Sequence, residues 1–460
     1  MKQPRQVSLL RAAFRPNFPF VPAKVPVFYG WVILVASVLG SLTSIPGQTI
    51  GFSVFTDHLI AATGLSRLQI SNAYLVGTLT SGCLLPFGGK LLDRLGARRT
   101  ATLAAIGLGL TLLYLSGCDG VARSLTSWIA IAPNLSAAIV LTLGIVSLRF
   151  CGQGMLTMTS RTMLGKWFER RRGQVSSIAG IFIAFGFAIA PYVFSRLIAV
   201  LGWRQTWTML AGVVGVGMST LAWLLFRDNP EICGLQMDGD SFEQTTELLP
   251  SDLRDIKTVK EQSSYKPALT GMTRGEALRT LAFWAVTLAF MGQALSITGI
   301  TFHIVSIGEE MGIAEAQMVT IFLPIAVVST AVGYGVGFAC DRIRLQFIFM
   351  FMMVAQAMGI VAIAHLNQPG LFLPAVIGLG ISGGCFSTLT TVVLPRFFGR
   401  AHLGAIAGVQ MMAIVIASAI GPSLLANAQA ITGSYRLGLY VCCLFAPVVI
   451  GLMTFVQEDA

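Results

Sequence analysis

Long apolar segments alternate with short polar ones along most of this chain. A segment of about 20 apolar residues is long enough to cross a bilayer as a helix. The sequence contains twelve such segments, with a few residues of uncertainty at each end. They cover residues 28–55, 68–90, 99–118, 135–164, 174–199, 206–226, 280–306, 317–339, 347–365, 371–396, 403–426 and 437–456. The pattern therefore predicts an all-α polytopic membrane protein with twelve transmembrane helices.

One long polar stretch interrupts the alternation between the sixth and the seventh span. It is rich in Asp, Glu, Ser and Lys and has no apolar periodicity. This composition is typical of a linker without a packed core. We therefore divide the chain into an N-terminal six-helix bundle with a short tail (1–227), a linker (228–279) and a C-terminal six-helix bundle (280–460).

The two halves repeat a short motif at matching positions. After the second span the motif comprises Gly89, Asp93, Arg94, Gly96 and Arg98. After the eighth span it comprises Gly337, Asp341 and Arg342. A six-helix unit that is used twice in the same orientation predicts two pseudo-symmetric bundles, with a substrate site between them.

Composition and charge support the membrane assignment and give the orientation. Only 11% of the residues are charged, whereas soluble domains carry about 25%. With the N-terminus in the cytoplasm, 24 of the 31 Lys and Arg residues fall in inside segments and five fall outside. The positive-inside rule thus predicts a multi-pass protein of the cell membrane with both termini cytoplasmic. The net charge of +11 then reflects topology and attraction to anionic lipid, and no nucleic-acid partner is expected.

The two remaining basic residues, Arg149 and Arg161, lie within the fourth span. Arg149 is near its centre, where a charge costs at least ~2.5–3.5 kcal/mol and usually faces the protein interior or a watery cavity. No Asp or Glu lies within any span to neutralise it. A guanidinium suits a bound carboxylate because it can donate two parallel hydrogen bonds. The alternative is a structural arginine that bonds to carbonyls of the first span or to a helix break near Pro46 and Gly47.

Polar side chains are concentrated in the first, fourth, seventh and tenth spans. From these spans we predict seven substrate-binding residues, namely Arg149, Gln153, Gln48, Ser44, Gln293, His303 and Ser387. For any single hydroxyl, the alternative is an interhelical hydrogen bond, which contributes only about 0.6 kcal/mol on average. His303 is the one interior candidate besides the arginine for proton coupling, and its alternative is a structural role.

These motifs resemble those of the major facilitator superfamily of secondary transporters, over nearly the whole chain. The resemblance implies that the first, fourth, seventh and tenth helices line a central cavity. It also implies that Asp93 caps the start of the eleventh helix, with Arg94 and Arg98 as clamps. The expected gating set comprises Gly89, Asp93, Arg94, Gly96, Arg98, Asp341 and Arg342. Residues 29–31 and 167–172 look like the monocarboxylate-porter and oxalate–formate-antiporter branch.

The leading functional hypothesis is secondary active transport of a small, monocarboxylate-like organic anion by alternating access, with Arg149 as the counter-charge. Its partners would be the anionic substrate, the lipid bilayer and a proton or counter-substrate, with the protein functional as a monomer. The alternatives are a carrier or efflux pump for neutral or amphipathic molecules, and a non-transporting membrane sensor. The sequence shows no nucleophile-elbow motif, phosphate loop or Cys/His ligand spacing, so we expect no enzyme activity, catalytic residue, metal or cofactor.

Overall fold

A computed structural model of the protein describes residues 17–129, 131–239 and 270–456, and these are almost entirely helical. Twelve helices build the bundle: α1 (Gly30–Thr43), α2 (Arg67–Leu95), α3 (Ala97–Ser116), α4 (Pro133–Trp167), α5 (Arg172–Leu201), α6 (Trp203–Leu225), α7 (Leu281–Glu310), α8 (Phe322–Cys340), α9 (Leu345–Ala364), α10 (Phe372–Phe398), α11 (Leu403–Thr432) and α12 (Arg436–Met453). In the described residues, α2 to α12 are the eleven helices that are long and apolar enough to span a membrane. The predicted all-α, twelve-helix architecture is confirmed.

The first predicted span is not one continuous helix. The helix α1 ends at Thr43, a 3-10 turn covers Ile45–Gly47, and a short helix resumes at Thr49–Ser53. Pro46 lies in the turn, where its missing N–H group breaks the helical hydrogen-bond pattern. The structure therefore differs from the continuous span predicted over 28–55 and has the break foreseen near Pro46 and Gly47.

The fourth span is interrupted at the same level. Its residues Arg149–Leu156 form a π-helical segment between two α-helical parts, and such segments often occur at functional sites. Gly152 in this segment packs against Gly47 in the break of the first span. A Cβ atom on Gly47 would lie 2.8 Å from the Cα atom of Gly152, so a larger residue would push the two segments apart.

Each half of the chain contains its own apolar cores. One cluster of buried side chains runs from Tyr29 to Cys233, and two further clusters lie between Ala277 and Val456. Large apolar side chains such as Phe87, which is 68% exposed, lie on the outside of the bundle, where lipid would cover them. We call the end of the bundle that carries Val456 and the start of the described chain the inner end; it is the side predicted to face the cytoplasm.

The two halves are joined at the inner end by one type of contact that is used twice. The Asp93 carboxylate of α2 accepts hydrogen bonds from the backbone N–H groups of Gly404 (2.9 Å) and Ala405 (2.7 Å), at the start of α11. Asp341, directly after α8, accepts one from the N–H group of Gly173 (3.1 Å) in the first turn of α5. A carboxylate at a helix N-terminus stabilises it by about 0.3–1 kcal/mol.

Glycines allow these helices to approach closely. A Cβ atom on Gly89 of α2 would collide with the carbonyl oxygen of Gly404, and one on Gly173 would collide with that of Gly337. Neither contact leaves room for a side chain. The motif repeated in the sequence therefore corresponds to two places at the inner end where backbones of opposite halves are in direct contact.

The other predicted gating residues lie elsewhere. The Arg98 guanidinium donates from Nη2 to the carbonyl oxygen of Phe18 (2.8 Å) and packs on the Trp223 ring, which are both in the first half. Gly96 takes a positive φ of 81° at the turn before α3. The remaining two arginines, Arg94 and Arg342, are exposed.

Both described flanks of the predicted linker contact the loop between α10 and α11. Arg400 in this loop donates to the Glu231 carboxylate of the first flank (2.5 Å) and to the Lys166 carbonyl oxygen of α4 (2.6 Å). In the second flank, Gly271 forms an isolated antiparallel bridge with Gly399. The linker residues 240–269 lie outside the described part of the chain. These contacts, together with the two carboxylate caps, close the inner end between the halves.

We expect Asp93→Asn to open the inner end more often, because an amide has one acceptor oxygen and no charge for the two N–H donors of α11. A cysteine placed at Met411, between the halves, should then react faster with a membrane-impermeant maleimide in inside-out vesicles. Glu309→Gln, which alters an exposed carboxylate at the far end of α7, is the matched control. An unchanged labelling rate in Asp93→Asn would contradict a gating role for this contact.

Candidate functional site

Arg149 lies at the start of the π-helical segment of α4 and is 2% exposed. Its Nη1 group donates to the Thr49 hydroxyl (3.2 Å) and makes a longer contact with the Gly47 carbonyl oxygen (3.5 Å). Its guanidinium carbon lies 5.2 Å from the centre of the Tyr74 ring of α2. Its buried Nε group has no hydrogen-bond partner among the described residues. Arg149 thus connects α4 to the broken part of the first span.

Two more of the predicted residues, Gln48 and Ser44, form a buried hydrogen-bonded cluster beside Arg149. The Gln48 amide donates to the hydroxyls of Ser44 (3.2 Å) and Thr157 (3.2 Å), and these two hydroxyl oxygens are 3.0 Å apart. Thr157 also donates to the Gly152 carbonyl oxygen (3.3 Å) in the π-helical segment. The backbone N–H group of Thr157 bonds to the same Gly152 oxygen, so that carbonyl accepts from both the hydroxyl and the main chain of Thr157. The cluster thus forms a hydrogen-bonded joint, that is, a contact that holds the broken first span against the π-helical segment of α4.

The other four predicted residues make no hydrogen bond to this cluster in the described structure. Gln153 is half-buried in the π-helical segment, and Gln293 is 6% exposed in α7. The His303 Nε2 group of α7 lies 3.0 Å from the Pro422 carbonyl oxygen of α11, so it donates to that oxygen. The Ser387 hydroxyl donates to the Gly384 carbonyl oxygen of its own helix (2.9 Å). The predicted set is therefore split between the first half and the second.

A cavity of about 40 Å³ lies between the two halves, toward the inner end. It is bounded by α4 from the first half and by α10 and α11 from the second. One water molecule needs roughly 10–15 Å³ of such a volume, so the cavity has room for about three waters in this closed state. The residues that line it include Met158, Arg161, Thr390, Thr391, Gln410 and Met411.

Two donors without partners face this cavity from opposite halves. Arg161 of α4 makes no hydrogen bond or ion pair within residues 17–129, 131–239 and 270–456. Gln410 of α11 is 4% exposed, and its Nε2 group has no hydrogen-bond partner in the same part of the chain. A buried amide without a partner costs about 1–3 kcal/mol, and a buried charge costs more. The cavity therefore presents two donors without partners, and no carboxylate lines it among the described residues.

The sequence placed Arg161 in the fourth span but did not indicate its direction. Each residue of a regular helix advances by about 100°, so an inserted residue turns everything after it by that angle. The π-helical segment ends at Leu156, before Arg161, and this changes the face on which Arg161 lies. Gln410 carried no signal either, because a single amide in an apolar helix is common and usually bonded.

Comparison with known proteins identifies the family. The model of the Major Facilitator Superfamily matches residues 18–422. A solved structure of the proton:xylose symporter XylE bound to 6-bromo-6-deoxy-D-glucose is similar, with a TM-score of 0.64 and 16% identity over 94% of this chain and 96% of that one. So is a bacterial homologue of the iron transporter ferroportin in the outward-facing state with soaked iron, with a TM-score of 0.63 and 14% identity over 92% and 98% of the two chains.

At these identities the structural likeness concerns the fold alone, and no curated protein matches the sequence. The family match covers most of the chain and agrees with the resemblance found in its motifs. The twelve-helix architecture, with a cavity between two halves, is the arrangement that alternating-access carriers use. The chain therefore belongs to the major facilitator superfamily and is a multi-pass membrane transporter.

Proposed function

We propose that this transporter moves a small organic anion of the monocarboxylate type. The observation that carries the proposal is Arg161, a guanidinium without a partner in the described structure that lines the cavity between the halves. A cation in such a place is stabilised when an anion occupies the cavity, because the attraction offsets the lost hydration. The planar fork of an arginine matches a carboxylate with two hydrogen bonds.

The rest of the lining fits a short organic anion. Met158, Met411 and Ile414 offer apolar surface beside Arg161. A carboxylate could thus bond to the guanidinium while a short hydrocarbon tail packs on these side chains. An inorganic anion would leave this apolar surface unused. The monocarboxylate class therefore suits both the charge and the lining of the cavity.

We assign the counter-charge to Arg161 first and give Arg149 a positioning role. The Arg149 guanidinium already has the Thr49 hydroxyl and the Tyr74 ring as neighbours, and it is 2% exposed. These contacts support the structural alternative for Arg149. Direct binding of the substrate by Arg149 stays a prediction, and so does proton coupling through His303.

The second candidate is a carrier or efflux pump for neutral or amphipathic molecules. It is favoured by the apolar part of the same cavity, which includes Leu394 and Pro395 besides the methionines. In that case Arg161 would interact with water or with a polar group of the substrate. Matched acids and amides distinguish this function from anion transport, since they differ mainly in charge.

For the anion carrier, we expect acetate, lactate or pyruvate to raise the melting temperature of the purified protein, because a ligand selective for the folded state stabilises it. Acetamide and lactamide, which are neutral, should not. Arg161→Gln should abolish this shift and lower proteoliposome uptake of the same acid at least tenfold, while Arg161→Lys should keep part of both. Equal shifts with acids and amides, or an unchanged shift in Arg161→Gln, would rule out the anion site.

For Arg149, we expect Arg149→Ala to reduce transport by destabilising the joint between α4 and the first span. The melting temperature without ligand should fall, because the hydrogen bond to Thr49 and the packing on Tyr74 are lost. Any protein that remains folded should still show the carboxylate-dependent shift. Loss of that shift at an unchanged melting temperature would instead make Arg149 the counter-charge.

A further inference from the structure

We infer that Gln410 is the ligand that the second half contributes to the same anion, so that the substrate bridges Arg161 and Gln410. This inference rests on the proposed function and adds to it a specific partner and a selectivity. The carboxylate would accept hydrogen bonds from the Arg161 guanidinium on one side. On the other side, it would accept one from the Gln410 Nε2 group, which lacks a partner in the described chain.

The two side chains lie at the same depth in the bundle. Arg161 precedes Trp167, the last residue of α4, by six residues, which corresponds to about 9 Å along the helix. Gln410 follows Leu403, the first residue of α11, by seven residues, or about 10 Å. Both line the same cavity between α4, α10 and α11. A small ligand in that cavity can therefore reach both donors.

The position of Gln410 is fixed by the packing of α11 against α2. A Cβ atom on Gly408 would lie 2.5 Å from the Leu85 carbonyl oxygen, so these backbones are in direct contact two residues before Gln410. Asp93 holds the first turn of α11 through two hydrogen bonds. The Gln410 amide is thus presented by a helix that cannot shift without opening the inner end.

The Arg161 and Gln410 donors favour a ligand with a single negative charge. The cavity brings one guanidinium and one buried amide together, and no carboxylate lines it within the described residues. A monocarboxylate would satisfy both donors with its two oxygens. A dicarboxylate would carry a second charge without a counter-charge in the cavity, which is strongly unfavourable in a desolvated site. The volume available for about three waters also favours a short chain.

Bridging also gives the anion a part in the conformational cycle. Arg161 belongs to the first half and Gln410 to the second, and they share a cavity while the inner end is closed. Opening that end separates the two donors. A ligand that bonds to both will bind the closed state more tightly and shift the equilibrium toward it.

The test is a set of Gln410 variants of the full-length protein, with the acetate- or lactate-dependent shift in melting temperature as the readout. Gln410→Leu and Gln410→Met remove the donor at similar volume, and we expect at least a tenfold loss of affinity for the acid. Gln410→Glu should abolish binding because its carboxylate would pair with Arg161. Gln356→Leu is the matched control, since this buried amide of α9 is already bonded to Ser296 (3.1 Å). It should lower the melting temperature but keep the ligand-dependent shift.

A charge exchange gives a result that a merely structural glutamine would not produce. Arg161→Gln combined with Gln410→Arg moves the cation to the other half, and the acid-dependent shift should partly return relative to Arg161→Gln alone. Succinate should give a smaller shift than acetate in the native protein. Unchanged affinity in both Gln410→Leu and Gln410→Met, with the shift lost in Arg161→Gln, would overturn the bridging role and leave the proposed function standing. An unchanged shift in Arg161→Gln would overturn both.

Discussion

The contact on which the rest of this structure depends is a carboxylate placed at the start of a helix from the opposite half. Asp93 holds α11 in this way, and Asp341 holds α5. Each contact needs two glycines, because the backbones meet without space for a side chain. Such contacts are directional and involve only a few atoms, so they are readily broken and remade. This suits a carrier whose halves must alternate between two arrangements.

The same contacts determine where the cavity lies. The closed inner end holds α4 against α10 and α11, and the residual space between them lies about 10 Å from the ends of these helices. Arg161 and Gln410 converge there because of this closure, although each belongs to a different half. The cation is tolerated because it borders a cavity that water or an anion can fill. By contrast, Arg149 is packed against Thr49, in the broken part of the first span, and against Tyr74 of α2.

Much of the fold could be predicted from the sequence, because apolar length and the distribution of basic residues are strong signals in a bilayer. The place at which Asp93 meets α11 was implied by the resemblance of the loop motif to the superfamily. The site was harder to predict. Arg149 was predicted as the counter-charge because of its central position, but the break in the first span provides neutral partners for it in Gly47 and Thr49. The helix face on which Arg161 lies depends on a π-helical segment that the composition of the sequence does not indicate. Whether the Gln410 Nε2 group has a hydrogen-bond partner depends on packing alone.

The attachment of both linker flanks to one loop has a consequence for how the chain can change in length. Glu231 bonds to Arg400, and Gly271 pairs with Gly399, so the chain leaves this loop and returns to it. The distance between the two attachment points is set by the loop and not by the residues between them. The contacts of both flanks with this loop therefore depend on Glu231, Arg400, Gly271 and Gly399 and not on the number of residues that join the flanks.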